Sequence, residues 1–399
     1  MRKWTYFLIP FTILLQNTWA DDFSLNSFLQ MVEKTNLDLK TQESMTNASQ
    51  AKAVGVRIPA PSVAFIQRNF KNESADGFEV SQSIPFPGKI TSEKRAREES
   101  AKAATEYFNI KINETLSQAR LTYIEYWLQY ELLNILKEKK KIIQDHVELA
   151  RSVVRSNSMM KIHLLKAQSD LDLLENEIYK QDQVLVEKRL KIAEFLNKEA
   201  SYNPPKPSKP PLSEIKEITV TDTPQIKNLE LKLLAAKATE SEKKKSWLPD
   251  LKLSYMELGS TSMMPEHSQI SVGITLPFAF PWEPSSKSSE ATAQRMVSEY
   301  QLEKGKRIIE YTQTRYREEA KTIKKQLSLI EQRLLPRAKE TMKLVHNIAP
   351  RDMNSLQDHR DAMEAFTDLR LQALNLRNRY EQVASELLKF SENKDAIYE

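Results

Sequence analysis

A chain of 399 residues with only six glycines, 28% charged residues and a formal charge of +5 does not suit compact, glycine-rich α/β domains and fits extended helices better. Lys and Arg are dispersed among Glu and Asp, so there is no basic face for nucleic acid. The absence of cysteine removes disulfides, thiol catalysis, Cys-ligated metals and a lipidated N-terminal cysteine.

The chain starts with Arg2 and Lys3, an apolar core from Trp4 to Leu15, and Thr18-Trp19-Ala20, which predicts a cleavable secretory signal over residues 1–20. Nothing later offers about 18 consecutive apolar residues, so no spanning helix is expected. A first structural repeat is expected over residues 21–199. A short helical segment from Phe23 runs to the break RIPAPSV, and a β-hairpin follows at about 62–86 around the polar loop Lys71 to Gly77. Phe78, Val80, Gln82, Ile84 and Phe86 alternate with polar residues there. A helical hairpin spans about 90–197, Ile90 to Arg155 returning as Met160 to Asn197. Its first arm reaches about 100 Å if continuous.

The returning arm carries a coiled-coil rhythm through Leu164, Ala167, Leu171, Leu174, Ile178, Leu185, Ile192 and Phe195, with Gln181 and Lys188 as polar interruptions. In the outgoing arm, Tyr123, Tyr126, Trp127 and Tyr130 change phase before Ile143 and Val147, which signals a change of packing partner. Residues 200–223, with YNPPKPSKPPL, form a stiff proline-rich connector.

Residues 224–399 repeat the order: helix, a β-hairpin at about 250–278, and a helical hairpin at about 289–390. Ile270, Val272, Ile274, Leu276 and Phe278 give one apolar face, at the low end of the roughly 9 to 11 residues a tilted strand needs to cross a bilayer. The last helices carry seams through Tyr316, Ala320, Ile323, Leu327, Ile330 and Leu334, and through Ala362, Phe366, Leu369, Ala373, Leu376, Tyr380, Val383, Leu387 and Phe390.

In each repeat a strand feeds directly into a long helix, at Pro85, Pro87, Gly88 and Lys89 and again at Pro277 and Pro281. Prolines end a ladder because they lack a donor, Gly88 is expected to permit the turn, and Lys89 to sit at a membrane surface. Four strands cannot close a barrel, since single-chain barrels start at about eight, and open edges are forbidden in hydrocarbon. Two or three copies would complete them. The fold class expected is mainly α with short membrane β-hairpins.

This duplicated order, with FPGK, AEFLN at Ala193 to Asn197, LLPRA at Leu334 to Ala338 and DHRDA at Asp358 to Ala362, resembles the TolC-like outer-membrane efflux channels and, more loosely, their CzcC-like metal-efflux branch. The resemblance covers nearly the whole mature chain. It implies a homotrimer with a β-barrel in outer-membrane lipid, a periplasmic α-helical barrel and a mixed equatorial belt, acting as an exit duct in the Gram-negative envelope with a periplasmic adaptor (membrane fusion protein) and an inner-membrane pump. It also places Asp358 and Asp361 at the periplasmic constriction, where threefold repetition would stack two acidic rings. The competing reading of these two is a solvated helix face paired with Arg360 or its neighbours. The hairpin tips, Asn157, Ser158 and Met159 with Pro350, Arg351 and Asp352, are the candidate adaptor contacts, although HNIAPRDMNS lacks the glycine usual there.

No enzyme signature, cofactor site or metal spacing is present: the five histidines are scattered, with no nucleophile elbow or phosphate loop. Met159-Met160 with His163, and Met263-Met264 with His267, offer soft ligands for Cu(I) or serve as ordinary packing. A periplasmic coiled-coil adaptor or structural protein remains the alternative function. It accounts for the helices and the signal but not for two membrane-length β-hairpins.

Overall fold

The computed structural model describes residues 23–70, 73–154, 161–217, 219–260, 265–275, 280–347 and 353–398. The signal segment, the six tip residues, Pro277 and the Met159-Met160 and Met263-Met264 pairs lie outside the described residues. The first repeat comprises α1 (Leu25–Thr35), α2 (Leu37–Ala53), β1 (Ser62–Phe70), β2 (Glu73–Ile84), α3 (Pro87–Val154) and α4 (Lys161–Phe195). The second comprises α5 (Pro224–Lys244), β3 (Leu251–Leu258), β4 (His267–Ile274), α6 (Trp282–Leu329), α7 (Leu335–Asn347), α8 (Met353–Leu388) and the short α9 (Asp395–Tyr398).

The strands form one antiparallel sheet in the order β1-β2-β3-β4, so β1 and β4 are open edges. Directly paired residues share a face. Val63 pairs with Val80, Val80 with Tyr255 and Tyr255 with Ile270, while Leu253 pairs with Val272 and Leu251 with Ile274. Most apolar positions of the four strands therefore line one side, while Ser81, Ser254 and Ser271 lie on the other together with Ile66 and the buried Met256 and Leu258. That apolar side is bare: Phe65 is 76% exposed and Ile270 77%. The expected loop from Lys71 to Gly77 is mostly strand, because Asn69 pairs with Ser74 and Gln67 with Asp76. A ladder is satisfied by main-chain groups whatever the side chains, and that overrides the polar sequence. In the second hairpin, where the polar run Gly259 to Ser268 is expected as the loop, the strand resumes at His267.

The helix α3 is unbroken over 68 residues, about 100 Å. Near its start it meets α2 and α5, with Thr46 bonding to the Ala104 carbonyl and Asn228 to the Ala103 carbonyl. Further along it meets α4 and α8. The partner change expected before Ile143 is not seen, since Tyr130 and Ile143 both pack against the cluster of Tyr123 and Tyr126; the split is between the two flanks of the helix. Leu116, Tyr123 and Tyr126 join one cluster with α1 and α4, whereas Ile124, Trp127 and Leu128 turn to Leu374 of α8.

The α4 seam is buried at Ala167, Leu174, Ile178, Leu185 and Ile192. Its polar interruptions have partners on α3: Gln129 Nε2 donates to the Gln181 carbonyl at 2.7 Å, and Lys188 pairs with Glu125 at 2.5 Å. The helix ends where Asn197 adopts φ 50° and the Lys198 N–H returns to the Ala193 carbonyl at 2.9 Å, a left-handed cap that asparagine tolerates.

Three expectations about the second helical hairpin are corrected. The helix α6 starts at Trp282 rather than Ser289, because Pro281 and Pro284 cost little in a first turn. Leu334 is exposed rather than on the seam, since Ile330–Leu334 forms a π turn ahead of Pro336. The turn inserts an extra residue where Pro336 has no N–H to donate, and so rotates Leu334 off the stripe that holds Ile323, Leu327 and Ile330. On α8, Met363 and Thr367 are buried, while the expected Ala362, Phe366, Leu369, Ala373 and Leu376 are half-buried. The helix is flanked by α3 on one side and by α6 and α7 on the other, so its buried face is not a single seam.

At the first junction Pro87 is the first residue of α3, and Gly88 lies within that helical turn rather than in a left-handed bend. A Cβ on Gly88 would stand 3.1 Å from the Phe86 ring and 3.3 Å from the Lys245 side chain, so its smallness serves close packing. Lys89 is tied down by its Nζ, which donates to the Asp250 carboxylate at 2.7 Å and the Leu248 carbonyl at 2.8 Å. The same Asp250 oxygen accepts the Phe86 N–H at 2.8 Å, and the Asp250 main chain pairs with Thr275. Asp250 thus joins the ends of β2 and β4 to the start of β3. Replacing it by Ala leaves Lys89 and the Phe86 N–H without that acceptor. Asp250→Ala is expected to destabilise the fold by about 1.5–3 kcal/mol, read as a lowered midpoint in denaturant unfolding, whereas an unchanged midpoint would contradict this role.

Candidate functional site

Asp358 and Asp361 lie on α8, both exposed, with Asp361 accepting a hydrogen bond from Gln357 at 2.9 Å. Three positions apart, they share one side of the helix. Arg360 does not pair with either. It reaches across to Asp170 of α4 at 3.1 Å and along α8 to Glu364 at 3.1 Å, and Met363, buried, lies on the same flank. The pair of carboxylates therefore faces away from the packed side of α8 and is open to solvent in the single chain.

A second, unexpected polar site lies at mid-height, where the connector crosses α3 and α8. Prolines leave the connector with few N–H groups, so its carbonyls must find side-chain donors. Tyr126 Oη donates to the Pro204 carbonyl at 3.2 Å, Arg377 Nη2 to the Pro210 carbonyl and Tyr380 Oη to the Ser213 carbonyl at 2.8 Å. Phe23 bridges to Pro207, and its carbonyl accepts from Tyr123 Oη. The two chain ends meet beside this crossing, where Glu33 of α1 accepts from Lys394 and from Tyr398 of α9.

Arg120, Ser213 and Glu381 are each almost wholly buried here. Arg120 Nε donates to Ser213 Oγ at 3.1 Å, and Ser213 donates its hydroxyl and its N–H to the two Glu381 oxygens. Burial raises the Glu381 pKa against the opposing pull of Ser213, Arg120 and Arg377, and burial likewise lowers the pKa of both arginines. The heptad reading missed these residues because they stand among the apolar positions of α3 and α8. The signal available was Arg120 itself, a charge inside the aromatic run of α3.

No helix among the described residues is long and apolar enough to cross a membrane. No family model matches the sequence, and no curated protein matches it. Solved structures do. CusC, described for its folding and transmembrane channel formation, aligns at TM-score 0.76 and 16% identity over 96% of this chain and 95% of its own. The open state of the Neisseria gonorrhoeae MtrE outer membrane channel aligns at 0.77 and 13%, over 94% and 89%. The Campylobacter jejuni CmeC outer membrane channel aligns at 0.74 and 16%, over 94% and 88%. The likeness does not assign the chain to a metal-efflux branch. Across nearly its whole length, the chain has the TolC-like fold of these outer-membrane channels.

Proposed function

We propose that this chain is one subunit of a homotrimeric exit duct that crosses the outer membrane and extends through the periplasm, without catalytic activity of its own. The carrying observation is the sheet, whose four strands present one continuous exposed apolar face and two open edges. An apolar face of this kind fits lipid, and Ser62, Ser81, Ser254 and Ser271 on the opposite face, toward the helical end of the sheet, fit a water-filled lumen. The helix α3 continues from β2 through the Asp250 junction, so in this reading the barrel and the periplasmic tube form one conduit. A periplasmic adaptor or structural protein leaves that bare face without a use.

In this reading three copies of Asp358 and Asp361 encircle the periplasmic end and attract cations, as charged pore rings do. Wild type in a planar bilayer is expected to conduct with cation preference and to be blocked by a trivalent cation. Asp358→Ala with Asp361→Ala is expected to lose most of both while the trimer persists, because neither carboxylate touches the packed flank of α8. Equal selectivity and equal blockade in both proteins would return the pair to a solvated outer face.

The tips at 157–159 and 350–352 are the proposed contact for a periplasmic adaptor linked to an inner-membrane pump, since the ends of long hairpins are where a coaxial partner can dock. Photo-crosslinkers at Met159 and Arg351 are expected to capture one adaptor in cells. Capture only from mid-helix positions would move the interface away from the tips.

A further inference from the structure

The helices differ in how much apolar surface they leave bare. Among the described residues of α3 and α8, Tyr107 is the one large apolar side chain that is exposed. The shorter α4 exposes Ile162, Leu165, Leu173, Tyr179, Val186 and Leu190, and α6 exposes Val297, Tyr300, Ile308, Tyr311 and Leu329. At about 100° per residue, each set forms one stripe roughly opposite the packed side of its helix. That packed side carries Ala167, Leu174, Ile178 and Leu185 on α4, and Ile309, Gln313, Ala320 and Leu327 on α6.

The order of packing accounts for the difference. Near the sheet the helices pack in the order α2-α3-α5-α6, which is the order of the strands they adjoin, β1 to β4. Further along, α4 packs on α3, α3 on α8, and α8 on α6 and α7. Around α3, α2 and α4 take one side while α5 and α8 take the other. The chain is thus a strip of wall with β1, α2 and α4 on one flank and β4, α6 and α7 on the other. Interior helices have a neighbour on each side, whereas α4 and α6 have a neighbour on one side and an apolar stripe on the other. Contiguous exposed apolar surface of this kind marks a partner site.

The two stripes match in height and direction. Gln129 of α3 bonds Gln181 of α4, Arg377 of α8 stacks on Trp127 of α3, and Arg379 of α8 pairs with Glu319 of α6, so Gln181 and Glu319 lie at one level. The α4 helix returns against α3, and α3 and α6 leave strands that run the same way, so α4 and α6 run in opposite directions. Counting from that level at about 1.5 Å per residue sets Leu190 at the height of Tyr311, Leu173 at that of Leu329, and Glu187 close to that of Arg315.

We propose that the α4 stripe of one copy packs antiparallel on the α6 stripe of the next copy. Leu190 then meets Tyr311, Leu173 meets Leu329, and Glu187 faces Arg315 with opposite charge. The occupant is a second copy because one rotation that joins these stripes also brings the open edge β1 to the open edge β4. The surfaces are unlike, so the contact runs head to tail around a ring instead of closing as a twofold pair. This rests on the homotrimer reading and adds to it the helices and side chains that form the joint.

The protein has no cysteine, so introduced thiols report alone. Leu190→Cys with Tyr311→Cys, and Leu173→Cys with Leu329→Cys, are made in the full mature protein in detergent and treated with a short bifunctional thiol reagent. Each pair is expected to give covalent trimers on a denaturing gel, and each single variant is expected to remain a single chain. Light scattering on the same samples separates two failures. Trimers that yield no covalent product from either pair would overturn this joint and leave the homotrimer standing, whereas monomers of unsubstituted protein would overturn both. Dimers from Leu173→Cys alone would overturn the joint by placing α4 against α4. Folded monomers from both pairs, beside trimers of the unsubstituted protein, would support it by showing that these exposed side chains hold the copies together.

Discussion

The constraint on which the rest depends is the unpaired edge of a β-sheet. Strands β1 and β4 each end the sheet with a row of unpaired N–H and C=O groups, beside an apolar face that water does not favour. In hydrocarbon neither edge is tolerable, and only closure into a barrel with further chains removes both. Four strands are too few to close alone, so the length and pairing of the hairpins call for repetition of the chain around an axis. Long helices follow from the same requirement. Each strand pair hands over to a helix whose hydrogen bonds are internal, so in the proposed duct the wall can continue as α-helices below the strands.

The handover depends on a few polar contacts between the two repeats. Asp250 of the second repeat holds Lys89 and the Phe86 N–H of the first, so the first strand-to-helix turn is fixed to the start of β3. At mid-height the connector plays the corresponding part. It crosses α3 and α8 as an extended strap whose carbonyls are bonded to Tyr126, Arg377 and Tyr380. The chain ends join at the same level through Glu33, Lys394 and Tyr398. The long arms are therefore tied at two heights and packed along buried apolar residues between.

Most of this architecture was legible in the sequence because it rests on periodicity. Alternation at Phe78 to Ile84 and at Ile270 to Ile274 marked strands, and the step of four and three through Ala167 to Ile192 marked a helical seam. What escaped depends on partners far apart in the chain. Asp250 reads as an ordinary turn residue until Lys89 is beside it, and Arg120 and Glu381 read as interruptions until Ser213 bridges them. Leu334 was misplaced because a π turn changes the helical phase with no change in composition. The polar run before Gly77 reads as loop because main-chain pairing leaves no trace in side-chain polarity. Asp358 and Asp361 came forward through a family resemblance rather than through periodicity, because both stand on the exposed side of α8 where no packing pattern marks them.

The most direct measurement of the central claim is the mass of the purified, folded protein in detergent, by light scattering or native mass spectrometry. The account predicts a complex of three chains with no stable folded monomer, because the open edges of β1 and β4 are satisfied only by neighbouring copies. A stable, folded monomer with its helices and sheet intact would contradict it.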